Sequence, residues 1–93
     1  MTATSWTTAV IRLANGDTVA RIDGDEPTWD PTGARVLVRR FRGLVLVDWA
    51  TGAESPVSNT TGAFGGAISP DGKYLAFSLT VSKNTDVYFV KLN

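Results

Sequence analysis

From Thr8 to the end of this chain, apolar and polar residues alternate in short runs broken by Gly, Pro, Asn and Asp. A period of two puts successive side chains on opposite faces of a strand, so the pattern predicts β-structure and almost no helix. Nine strands are expected: Thr8–Leu13, Thr18–Ile22, Thr28–Asp30, Arg35–Phe41, Leu44–Trp49, a weak one near Ser55–Ser58, Gly66–Ser69, Tyr74–Val81 and Asp86–Leu92. The first two are joined through Asn15-Gly16. Both residues tolerate positive φ, which predicts a tight type I′ hairpin. Pro31 with Gly33, and Pro70 with Asp71 and Gly72, punctuate the later runs. Pro presets φ at the second position of a turn, Asp bonds its own backbone and Gly supplies positive φ.

The pattern is also repeated. WDPTGARVLV from Trp29 and ISPDGKYLAF from Ile68 share one layout, with Pro31 and Pro70, and Gly33 and Gly72, each 39 residues apart. Ile11–Gly16 matches Val47–Gly52 at an offset of 36, and Val90-Lys91-Leu92 repeats that strand again. A period of about 40 is that of a propeller blade, a unit that cannot bury its own faces and must stack on copies of itself. With blade strands labelled a to d from the propeller axis outward, the order along the chain is c-d, a-b-c-d, a-b-c. Within a single domain, residues 8–27 then form an outer hairpin, 28–62 a complete blade, and 63–93 a blade lacking its outer strand. Val36–Val38 and Leu75–Phe77 are almost wholly apolar, as inner strands covered on both faces would be.

Ile68-Ser69-Pro70-Asp71-Gly72-Lys73-Tyr74-Leu75-Ala76-Phe77, followed by Asp86-Val87-Tyr88-Phe89-Val90, resembles the TolB-like family of β-propeller repeats. That family is related to the WD-repeat propellers and recurs in the propeller domains of prolyl-oligopeptidase-type proteases. The first copy departs from the family pattern: Asp30-Pro31-Thr32-Gly33-Ala34-Arg35 keeps Pro and Gly but loses the Asp and Lys. The resemblance covers roughly residues 8 to 93 and implies an all-β propeller fold. It implies little about function, since propellers host many unrelated activities.

Composition removes several kinds of chemistry. The chain has 93 residues, is 43% apolar, and balances nine basic against nine acidic residues. That neutrality gives no electrostatic reason to expect nucleic acid or a membrane surface as partner. With no Cys and no His, disulfides, thiolate zinc sites, a Cys nucleophile and a Ser-His-Asp triad are all absent. No recognisable catalytic constellation remains, so no enzyme activity and no cofactor are expected. The N-terminal run lacks a basic leader and a long apolar core, which suggests a cytoplasmic chain as given. A periplasmic or extracellular setting is expected instead if the chain is excised from a longer protein.

Propellers use about four to eight blades of four strands each. Nine strands make just over two blades, and two alone would leave faces and edges uncovered. The expected solution is self-association as a dimer, trimer or tetramer, with the N-terminal d-type strand completing a neighbour's blade. A complementary propeller chain and a compact two-sheet sandwich are the alternatives. Trp6, Val10, Val19, Ile22, Tyr88 and Val90 are the candidate interface residues.

For ligand binding, Arg39-Arg40-Phe41-Arg42 is the one basic run, in the b–c loop, and Asp23, Asp25 and Glu26 form an acidic cluster in the d–a loop. Both loops fall on the same face of a propeller. Arg beside an aromatic suits a base, phosphate or carboxylate. The acidic cluster falls short of a calcium loop in length and ligand count, so no metal site is assigned. The same two segments also suit plain strand ends that pair with each other. Trp29 and Trp49 align with apolar strand positions and are expected to pack. The best reading is a non-catalytic binding or assembly module. The excised propeller part of a prolyl-oligopeptidase-type hydrolase or of a TolB-like periplasmic protein, and a small ring-shaped lectin, are the rivals.

Overall fold

The computed structural model describes residues 6–92. Residues 1–5, part of the run read for a leader, lie outside it. The described chain is all-β, with nine strands and no helix. These are β1 (Thr7–Ile11), β2 (Thr18–Asp23), β3 (Asp25–Trp29), β4 (Arg35–Arg40), β5 (Gly43–Asp48), β6 (Glu54–Pro56), β7 (Phe64–Ile68), β8 (Tyr74–Val81) and β9 (Asn84–Lys91). They form three antiparallel sheets in chain order: β1-β2, β3-β4-β5-β6 and β7-β8-β9. No sheet closes into a barrel.

Among the strand boundaries that differ from the sequence reading, the starts of β3 and β7 share a physical reason. β3 begins at Asp25 rather than Thr28, because Asp25 lies opposite Arg39 and their side chains pair across the strands. The register then slips between Asp25 and Thr28, where Glu26 has φ +50° and Pro27 can donate no ladder bond. β7 begins at Phe64, opposite Ser78, with the same slip before Ala67.

The Asn15-Gly16 turn is not type I′: only Gly16 has positive φ, +77°. The Gly16 N–H donates to the Arg12 carbonyl at 2.8 Å, and Arg12 N–H to the Asp17 carbonyl at 2.8 Å. The wider loop is that of the equivalent β5–β6 connection, where Gly52 donates to Asp48 at 2.7 Å and Asp48 to Ala53 at 2.8 Å. Both backbone bonds thus recur at the offset of 36 residues. A two-residue turn with both φ positive occurs instead at Ser82 (+51°) and Lys83 (+70°), between β8 and β9.

The four-stranded sheet is the centre of the molecule, and its two faces carry different residues. Leu37 lies opposite Leu46, Val36 opposite Val47 and Val38 opposite Val45. Alternation therefore sorts leucines to one face and valines to the other. The leucine face, with Leu44, packs against Leu75, Phe77 and Ala63 of the following sheet and its approach, flanked by Val90 and Leu79. The valine face packs against Ile22 of the preceding hairpin, flanked by Val10 and Trp49. Leu37, Val38 and Leu75 are at most 1% exposed. Burying each side chain this fully stabilises the fold by about 1.5–3 kcal/mol. The sheets approach closely because Gly66 of β7 sits on the leucine face, where a Cβ would lie 2.6 Å from Leu37 Cδ2. No helix among the described residues is long and apolar enough to cross a membrane.

Candidate functional site

The acidic and basic segments singled out in the sequence are brought together. Asp23 ends β2, and Asp25 and Glu26 open β3, with Gly24 alone between them. The acidic cluster is therefore two strand ends rather than a free loop. Gly24 has φ +126°, and a Cβ there would fall 2.8 Å from both Val38 Cβ and the Arg39 carbonyl oxygen, so the link is pressed onto β4.

Arg39 donates to both carboxylate oxygens of Asp25, at 2.8 and 2.6 Å, and lies 3.6 Å from Glu26. Glu26 in turn accepts the Gly65 N–H of β7 at 3.0 Å. Arg40 donates to both oxygens of Glu54 on β6, at 2.9 and 2.8 Å, and to the Asp23 carbonyl of β2 at 2.9 Å. The hydrogen bond from Arg39 holds the Asp25 carboxyl below its ordinary range, and that from Arg40 does the same for Glu54.

Glu26, beside Arg39, thus ties the central sheet to the sheet after it, and Arg40 ties it to the hairpin before it. Bidentate pairing leaves these guanidiniums few donors for a ligand. Phe41, at the β4–β5 tip, is 93% exposed, and Arg42 makes no ion pair among the described residues. No group of three or more carboxylates among those residues is arranged to hold a metal ion.

The residues proposed from sequence for an interface fall in several places. Ile22 is 5% exposed and Val10 packs beside it, both against the central sheet of the same chain. Val90 is likewise packed against the leucine-face core, and Tyr88 stacks on Phe77 with ring centroids 6.0 Å apart. Val19 is half-buried near the β1–β2 register shift. Trp6 is 70% exposed. The expected packing of Trp29 does not occur, since it is 54% exposed. Trp49 is half-buried and donates its indole N–H to the Gly33 carbonyl at 2.8 Å.

A surface that sequence reasoning missed lies on the far side of the last sheet. Ala76 and Phe89 are opposite each other, as are Ser78 and Val87, and all point away from Leu75 and Phe77. Tyr74 meets Phe89 edge-on with centroids 6.1 Å apart, and the two rings with Ala67, Ile68 and Ala76 line a shallow apolar depression. Phe89 and Val87 are about three-quarters exposed. The signal was present in Val87-Tyr88-Phe89-Val90, where the alternation disappears and both faces of the strand are apolar.

No protein-family profile and no solved structure matches this chain. Three relatives do, all described as Tol-Pal system protein TolB: from Anaeromyxobacter dehalogenans strain 2CP-C, Anaeromyxobacter sp. strain K and A. dehalogenans strain 2CP-1. Each is 35% identical over 66 residues, which is 67% of this chain but 15% of the relative. The chain therefore contains a TolB-like region and matches a small part of the length of these proteins.

Proposed function

We propose that this chain is a non-catalytic, propeller-type protein-binding module whose sheets stack with those of other subunits to form a ring. The observation that supports this reading is the contrast between the central sheet and the last one. The central sheet has both faces covered by the other two sheets of the chain, whereas the last sheet leaves Tyr74, Val87 and Phe89 in solvent. Exposed apolar faces of this kind mark interaction sites. Two chains would supply four blades and three would supply six, within the range propellers use. The TolB-like region agrees with a binding role. The absence of His and Cys from the sequence agrees with a role without covalent or general-base chemistry.

Light scattering coupled to size-exclusion chromatography, at several protein concentrations, tests the reading. A discrete dimer, trimer or tetramer is expected. A monomer at every concentration would overturn assembly between copies.

A further inference from the structure

We infer that the open face of the last sheet docks onto the outer face of the N-terminal hairpin of a second copy of this chain, head to tail. This rests on the assembly reading and specifies which surfaces meet. The repeat supplies the argument. At the offset of 39, Leu37 corresponds to Ala76. Across the strands, Leu46 faces Leu37 as Phe89 faces Ala76, and Leu44 faces Arg39 as Val87 faces Ser78. The open face of the last sheet is therefore the counterpart of the leucine face. Val36, Val38 and Val47 correspond in the same way to Leu75, Phe77 and Val90, which point inward.

The hairpin completes the pattern. At the offset of 36, Leu46 corresponds to Val10 and Val47 to Ile11. Val10 points toward the central sheet, while Thr7, Ala9 and Ile11 are exposed on the opposite side. The outer face of the hairpin is therefore the counterpart of the valine face.

Within the chain, a leucine-type face meets a valine-type face twice, once on each side of the central sheet, and like faces never meet. One face of each type is left over, at opposite ends of the stack. Their shapes are matched in kind. Phe89 and Val87 project beside the small Ala76, and Ile11 projects beside the small Ala9. A contact between unlike faces is heterologous, and such contacts close into rings when the rotation between copies permits.

Two single variants of the full chain test the polarity. Phe89→Lys disables the leucine-type face and Ile11→Lys the valine-type face. Both positions are exposed, so each variant is expected to retain its circular dichroism spectrum. Each alone should run at the mass of one chain. Mixed in equal amounts they should give a species of twice that mass and no larger one, because one intact face of each type remains. A homodimer of Ile11→Lys, with no heterodimer on mixing, would overturn the inference and indicate that like faces meet. Wild-type-sized assemblies of either single variant would also overturn it, while leaving assembly itself intact. A monomeric wild type would instead refute the assembly reading. If Phe89→Lys fails to fold, Val87→Lys takes its place with the same expectations.

Discussion

The hydroxyl of Thr32 donates to a carboxylate oxygen of Asp30 at 2.8 Å, and 39 residues later the same bridge is built with the partners exchanged: the Ser69 hydroxyl donates to Asp71 at 2.6 Å. In the second copy, Asp71 accepts the Lys73 N–H and the Ser69 hydroxyl oxygen accepts the Tyr74 N–H. In the first, Thr32 accepts the Ala34 N–H, and Asp30 accepts the Arg35 N–H and guanidinium. The first copy had looked degenerate because its Asp is missing from the expected position. The acid has instead moved to the other end of the bridge.

Exchange of the pair should therefore be tolerated better than loss of one member. Asp30 is 5% exposed, so Asp30→Ala strands a buried turn and should cost about 1–3 kcal/mol. Asp30→Ser combined with Thr32→Asp recreates the second copy's chemistry and should recover most of that loss. Urea unfolding of the two variants beside wild type decides the matter. A double variant no more stable than Asp30→Ala would show that the Arg35 contact, rather than the bridge, holds the turn.

Thr60 is a second place where a polar group carries the fold. It is 1% exposed, donates its hydroxyl to the Val57 carbonyl at 2.7 Å and accepts the Leu44 N–H at 2.9 Å. It anchors the connection between β6 and β7 to the start of β5. Thr60→Val keeps the shape but leaves the Leu44 N–H unpaired, so a loss of about 1–3 kcal/mol is expected. Thr60→Ser keeps the hydroxyl and should lose less. Equal losses for both, measured by chemical denaturation, would place the effect in packing instead.

The strands were legible because alternation and turn residues act locally. Val36–Val38 and Leu75–Phe77 could be recognised as doubly covered inner strands from composition alone, and the structure covers both faces of the first. The roles of Arg39 and Arg40 were less legible. Which carboxylate each meets depends on the register of β3 against β4 and of β5 against β6. The same holds for Trp29, which lies opposite Val36 at the end of β3 and stays 54% exposed although the hairpin covers other residues of that face. Thr60 looked like loop material because nothing local announces that a loop residue will be buried.

The β8–β9 turn holds two non-glycine residues, Ser82 and Lys83, at positive φ. An L side chain there costs about 1–2 kcal/mol per residue, less where a short polar side chain can bond locally. Replacing Ser82-Lys83 with Asn-Gly supplies the pair this turn prefers. The variant should be more stable than wild type by about 1 kcal/mol, read as a higher thermal midpoint. A lower midpoint would mean that the Ser82 or Lys83 side chain makes a contact worth more than the strain.

Acid should weaken the molecule through a small set of carboxylates. Asp25, Glu54 and Asp71 are held below their ordinary range, chiefly by hydrogen bonds from Arg39, Arg40 and Ser69 respectively. For Asp30 burial pushes the carboxyl upward, but the bonds from Thr32 and Arg35 outweigh it and the net direction is also down. A group whose folded value is depressed stabilises the fold above its unfolded value, near 4, and loses that contribution as pH falls through the folded value. The thermal midpoint should therefore change little between about pH 7 and pH 5 and drop below about pH 4. No inflection is expected near pH 6.5, because the chain has no histidine. Asp25→Asn with Glu54→Gln removes two of the four groups, so the drop between neutral and acid pH should shrink. A midpoint that falls as steeply in that variant would assign the acid limb to Asp30 and Asp71, the carboxylates of the two repeated turns.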